Sequence, residues 1–210
     1  MISVLLVDDQ DLVRAGLRML CGSADDIVVV GEASAGAAAV RLTQDTRPDV
    51  VVMDLHMPGM DGIEATRMIA SSVPASKVVV LTTFDDDDHL YPALQAGACG
   101  FLAKDASPRQ LLQAVRQAAE GDSPFSPDVL RRLVHRALTG HREPGSGHTL
   151  TPREREVVAL VGAGSTNREI ADALHVGVTA VKSYIAAAMT KTGTKNRVML
   201  AVFAVRQGLV

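Results

Sequence analysis

Five short, almost wholly apolar runs recur in the first half of the chain: Ile2–Val7, Ile27–Gly31, Val50–Met53, Val78–Leu81 and a run ending at Gly100–Ala103. Each is too short for a stable helix, and continuous apolar character over so few residues suits a strand buried on both faces. Stretches with helical spacing lie between them: Leu12–Leu20, an Ala-rich stretch through Gln44, Ile63–Ala70, His89–Gln95 and Pro108–Ala119. Strands alternating with helices predict a parallel sheet covered by helices on both sides. The chain holds no Trp and only 3% aromatics, yet 47% apolar residues, so Val, Leu, Ile, Ala and Met must fill its cores.

The pattern changes after residue 120. Ser126-Pro127 can start a helix from Asp128 to about Leu138, with Pro at the first helical position. Thr139–His148 is polar, carries three glycines and a proline, and reads as a flexible connection. From Leu150 onward only helical patterns appear. Thr151-Pro152-Arg153-Glu154 has the form of a capping box, with the first helix closed by Gly162 and Gly164. Asn167–Leu174, Val178–Thr192 and Asn196–Gln207 follow, and His175-Val176-Gly177 makes the turn between the first two of these. Charge divides in the same way. Residues 1–128 hold 9 basic against 19 acidic side chains, a net −10, and residues 129–210 hold 12 against 5, a net +7. A basic half on a chain of near-neutral total charge points to a nucleic-acid partner for that half.

The only cysteines, Cys21 and Cys99, lie far apart, which suits a reducing compartment. No apolar run approaches the roughly 20 residues of a membrane span, and no basic region precedes an apolar stretch at the N-terminus. A cytoplasmic location without membrane attachment is therefore expected.

Ligands of parallel α/β sheets sit at the carboxyl ends of the strands. Polar side chains collect there: Asp8 and Asp9 after the first strand, Asp54 after the third, Thr82 after the fourth and Lys104 after the fifth. Three converging carboxylates repel one another and call for a cation, and an all-oxygen set with access to water suits Mg²⁺. Beside such a cation Asp54 can act as a nucleophile towards phosphorus, with Lys104 and Thr82 meeting the phosphoryl oxygens.

Val7-Asp8-Asp9, Met53-Asp54-Leu55-His56-Met57-Pro58-Gly59-Met60-Asp61-Gly62, Leu81-Thr82 and Phe101-Leu102-Ala103-Lys104 together resemble the receiver domain of two-component response regulators. The resemblance implies a five-stranded, flavodoxin-like parallel sheet over residues 1–122. It implies phosphorylation of Asp54 by a sensor histidine kinase, and Mg²⁺ held by Asp8, Asp9, Asp54 and the backbone carbonyl of His56. It also implies a switch formed by Thr82, Phe101 and Lys104, and dimerisation on phosphorylation. The apolar residues of the first helix (Leu12, Val13, Leu17, Leu20) and the last (Leu111, Leu112, Val115, Ala119) mark one face for the homodimer, unless they only form a wide core-facing stripe; the face of the fourth helix, fifth strand and fifth helix, beside Phe101, is the alternative.

Residues 149–210 resemble the LuxR-type helix-turn-helix domain of NarL/FixJ regulators, through Leu150–Val157, Asn167-Arg168-Glu169-Ile170-Ala171, Val181-Lys182-Ser183-Tyr184-Ile185 and Lys195-Asn196-Arg197. A compact all-α domain of four helices is implied, with Val178–Thr192 entering the major groove of double-stranded DNA. Ile170, Ala171, Leu174, Val181 and Ile185 have core spacing. Lys182, Ser183 and Ala186 then face outward, and Lys191, Lys195 and Arg197 complete the expected DNA-binding set. Gly177 stands where the family usually places a capping Ser, and Ala186-Ala187-Ala188 leaves the helix poor in groups for base readout. Residues 123–148 become a linker with a helix.

Other features carry less. The run Asp85–Asp88 suits the start of a helix better than a second metal site. His135, His141 and His148 make a poor zinc site. Gly162–Thr166 lacks both the Lys and the preceding strand of a phosphate loop. An aspartate-phosphorylating hydrolase would need a further acid for its leaving group, and none is evident. The expectation is a transcription regulator rather than an enzyme. A binding module that ignores phosphorylation is the remaining rival.

Overall fold

The computed structural model describes residues 1–82, 87–125 and 150–210, with the side chains of residues 87 and 88 left aside. The chain divides into two compact units, Met1–Ser126 and Pro127–Val210. The helix expected from Asp128 and the Gly-rich connection lie outside the described residues, as do Asp85 and Asp86.

In the first unit β1 (Ile2–Val7), β2 (Ile27–Ala33), β3 (Val50–Asp54), β4 (Lys77–Thr82) and β5 (Gly100–Ala103) form one sheet in the order β2-β1-β3-β4-β5. Every neighbouring pair is parallel. The helices are α1 (Asp11–Gly22), α2 (Gly36–Thr46), α3 (Gly62–Ser72), α4 (Asp87–Ala96) and α5 (Pro108–Glu120).

The apolar strands are explained by two cores, one on each face. Val4 and Leu6 pack with Val50, Val52, Leu17, Leu111 and Val115. The alternate residues Leu5 and Val7 pack with Val51, Met53, Val40, Ala65 and Ile69. Each fully buried Leu or Val contributes about 2 kcal/mol of apolar transfer. β2 extends beyond the expected Gly31 through Glu32 to Ala33. As an edge strand it alternates buried and exposed positions, so an acidic residue facing solvent is tolerated.

Strand order reverses between β1 and β3, which places their carboxyl ends on either side of the sheet's switch point. Register then sets the heights. Val7 pairs with Met53, Asp54 with Leu81 and Thr82 with Ala103. Asp8, Asp54, Thr82 and Lys104 therefore emerge along one rim.

The second unit has four helices among its described residues: α6 (Pro152–Gly162), α7 (Asn167–Leu174), α8 (Val178–Thr192) and α9 (Arg197–Arg206). Capping boxes start α6, through Thr151 and Glu154, and α7, through Thr166 and Glu169. Asn196 caps α9 by accepting from Met199 N–H rather than belonging to it. The core joins Val157, Val161, Ile170, Val181, Ile185 and Leu200. α8 has no side-chain cap at Gly177.

Candidate phosphoacceptor pocket and DNA-facing helix

Asp8 and Asp54 end their strands almost fully buried, while Asp9 is exposed. Carboxylate oxygens of all three lie within 4.8 Å of one another. Lys104 places its ammonium 2.8 Å from Asp8 Oδ2 and 3.0 Å from Asp54 Oδ2. Asp8 Oδ1 accepts from the backbone N–H of Gln10 at 2.9 Å. No well-formed hydrogen bond reaches Asp54 Oδ1. Burial pushes the Asp54 carboxyl above the usual carboxylate range, against the opposing pull of Lys104. Burial also disfavours the Lys104 ammonium, but its bonds to Asp8 and Asp54 outweigh this and hold its pKa above the ordinary value.

Thr82 is buried at the end of β4, and its carbonyl accepts from Lys104 N–H at 2.7 Å, tying the fourth and fifth strand ends together. Phe101 is buried in β5. The His56 ring is exposed on the rim and meets His89 of α4 edge to face, with centroids 5.2 Å apart.

Two supporting residues were not assigned from sequence. Arg14 on α1 donates to the Asp8 carbonyl at 2.7 Å and also bonds Asp11, fixing the turn after β1. A basic residue six places after Asp8 was the available signal. Gly62 is the second. A Cβ there would lie 2.0 Å from the Asp54 carbonyl oxygen, so α3 can start beside the pocket only with glycine at that point. Asp61 caps that helix, accepting from Glu64 N–H at 2.7 Å.

In the second unit Lys182, Ser183 and Ala186 are exposed along α8, and Lys195 is exposed after it. Lys191 and Arg197 are engaged within the domain. Lys191 Nζ bonds both oxygens of Glu154 at 2.7 Å, which holds the Glu154 carboxyl below its usual range. Arg197 donates to Asn167 Oδ1 at 2.5 Å and to the Ser165 carbonyl. These bonds tie α8 to α6 and α9 to the start of α7. Ser183 Oγ donates back to the Thr179 carbonyl at 3.1 Å.

Comparisons with known proteins agree with this division. Residues 4–116 match the response regulator receiver domain, and residues 148–204 match the bacterial regulatory proteins of the luxR family. The transcriptional regulatory protein LiaR of Bacillus subtilis (strain 168) is 39% identical over 210 residues, covering all of both chains. The crystal structure of response regulator ChrA of a heme-sensing two-component system is similar with a TM-score of 0.55 at 37% identity, covering 100% of this chain and 98% of that one. A structure of two RcsB dimers bound to two parallel DNAs is similar with a TM-score of 0.58 at 26% identity, covering 98% of each chain. The chain belongs to the two-component response regulators of the NarL/LuxR family, joining a receiver domain to a LuxR-type DNA-binding domain.

Proposed function

We propose that Asp54 accepts a phosphoryl group from a sensor histidine kinase and that this controls DNA binding by a homodimer. The observation that carries the reading is the buried Asp54 carboxylate within 3.0 Å of Lys104 and beside Asp8 and Asp9. One Asp54 oxygen attacks phosphorus, the P–N bond of the donor phosphohistidine breaks, and imidazole leaves. Asp8, Asp9, Asp54 and the His56 carbonyl form an all-oxygen set suited to Mg²⁺, which would polarise the phosphoryl group and offset its charge. Lys104 turns from Asp8 to a phosphoryl oxygen, the Thr82 hydroxyl donates to another, and Phe101 shifts with β5.

The dimer reading uses α1 and α5. Leu17, Leu111 and Val115 lie in the receiver core, whereas Leu12 and Met19 are 86% and 78% exposed. A second copy would therefore meet Leu12 and Met19. A two-fold pair places two α8 helices on paired half-sites in successive major grooves. Lys182 and Ser183 face the bases there, and phosphate contacts supply most of the affinity because Ala186 and its neighbours offer no hydrogen bonds. A DNA partner also places the protein in the cytoplasm.

Incubation with acetyl phosphate and Mg²⁺ should add one phosphoryl mass. Asp54→Ala and excess chelator should each abolish it. Incorporation that survives either treatment overturns the assignment.

A further inference from the structure

We propose that the segment leaving the receiver, residues 122–125, is a strap on β5 that occupancy of the Asp54 pocket loosens. The inference rests on the phosphoacceptor reading and adds a route out of the pocket.

The strap begins where α5 stops. Gly121 takes φ 82°, and Asp122 N–H bonds back to the Gln117 carbonyl at 2.9 Å, turning the chain towards the sheet edge. β5 is the last strand and pairs with β4 on one side only. On its open side Phe101 N–H donates to the Pro124 carbonyl at 2.9 Å, and Phe101 forms a parallel bridge with Phe125. Pro124 is buried. The neighbouring position is Gly100, where a Cβ would stand 2.4 Å from Pro124 Cγ, 2.8 Å from its Cδ and 2.9 Å from its carbonyl oxygen. Glycine is needed there because the strap lies directly on the strand.

β5 is only four residues long and is followed at once by Lys104. Its other edge is tied to Thr82, through the Lys104 N–H bond and the Thr82–Ala103 register. The two residues assigned to the phosphoryl oxygens thus sit at one end and one edge of the strand that holds the strap. Lys104 now bonds both Asp8 and Asp54. A phosphoryl group on Asp54 draws Lys104 and Thr82 to new positions, and so short a strand moves with them. The strap cannot follow, because Pro124 against Gly100 leaves no slack. The main-chain pairing at this sheet edge is the part that yields.

The experiment uses the full chain with Mg²⁺ and beryllofluoride as the probe. Amide exchange of Phe101, the donor to the strap, should quicken when beryllofluoride binds. Coupling is reciprocal, so a strap already detached should favour occupancy. Gly100→Ala drives a methyl group into Pro124, and Pro124→Gly removes the ring from the other side while keeping the carbonyl. Both should show raised exchange of the Phe101 amide without ligand and should reach half-saturation at about fivefold lower beryllofluoride, read by calorimetry. A purely structural role would leave that affinity unchanged or weaken it. If Gly100→Ala does not fold, Pro124→Gly carries the test. The inference is overturned by unchanged or slower wild-type exchange of the Phe101 amide with the probe bound, by variants that keep that amide protected, or by variants whose half-saturation does not fall. A wild-type protein that takes up no beryllofluoride defeats the phosphoacceptor reading and the strap together.

Discussion

Replacing Lys104 by Met tests how the receiver tolerates its buried acids. The ammonium stands 2.8 Å from Asp8 and 3.0 Å from Asp54, whose side chains are 0% and 2% exposed. At an effective dielectric near 20, each contact at this separation carries about 6 kcal/mol of gross attraction, most of it offset by desolvation. Removing one partner of a buried pair leaves about 3–5 kcal/mol uncompensated. The Lys104 side chain is 19% exposed, so water recovers part of that, and a loss of about 2–3 kcal/mol is expected. The loss should depend on pH in a defined direction. The Asp54 pKa is already raised, and Lys104 is what opposes the rise. An acid with a raised folded pKa penalises folding above its unfolded value, and the penalty fades as pH falls through the folded value. The gap between Lys104→Met and wild type should therefore narrow from pH 8 towards pH 5. Mg²⁺ should narrow it too, because a cation offsets the same unpaired acids and so stabilises the variant more than the wild type, which already holds Lys104 there. Urea unfolding of the full chain, followed by circular dichroism in the receiver transition, measures all three. A variant within 0.5 kcal/mol of wild type, or one whose deficit ignores both pH and Mg²⁺, would refute the reasoning.

Gly62→Ala should cost about 3 kcal/mol in the same assay and impair phosphoryl uptake, because its Cβ would meet the Asp54 and Leu55 backbone at 2.0–2.9 Å. Lys182→Ala should weaken specific DNA binding by about 1–3 kcal/mol without altering the melting temperature. Arg197→Ala should instead lower the stability of the DNA-binding domain by about 1–3 kcal/mol, since it removes bonds to Asn167 and Ser165; equal stability would show that those bonds are dispensable. Burial pushes the Cys99 thiol up to about 12, so iodoacetamide at pH 8 should leave it unmodified in the native protein and alkylate it in urea.

The fold class and the pocket were legible because both are written in short-range pattern. Apolar runs such as Val50–Met53 are continuous because each face of the sheet meets a core. A parallel sheet sends its strand ends to one side, so Asp8, Asp54, Thr82 and Lys104 could be grouped before any coordinates were known. The T-x-x-E box at Thr151 likewise fixes a helix start through bonds three residues apart.

Tertiary structure decided what depends on long-range approach. The sequence marks Leu12 and Leu17 alike as apolar positions on α1, but only packing against β1 and α5 buries Leu17 and leaves Leu12 in solvent. Lys191 and Arg197 look like DNA-binding cations beside Lys182. Glu154 lies 37 residues from Lys191 and Asn167 lies 30 from Arg197, and no local pattern records such pairings. Gly62 and Gly100 are ordinary glycines until the Asp54 carbonyl and Pro124 come within a Cβ's reach of them. The sequence by itself determined which residues prefer strand, helix, core or charge, because those preferences act through neighbours along the chain. Which cations are held by partners inside the domain, which apolar residues stay in solvent and which glycines lie against another backbone are questions of contact across space, and only the packed chain answers them.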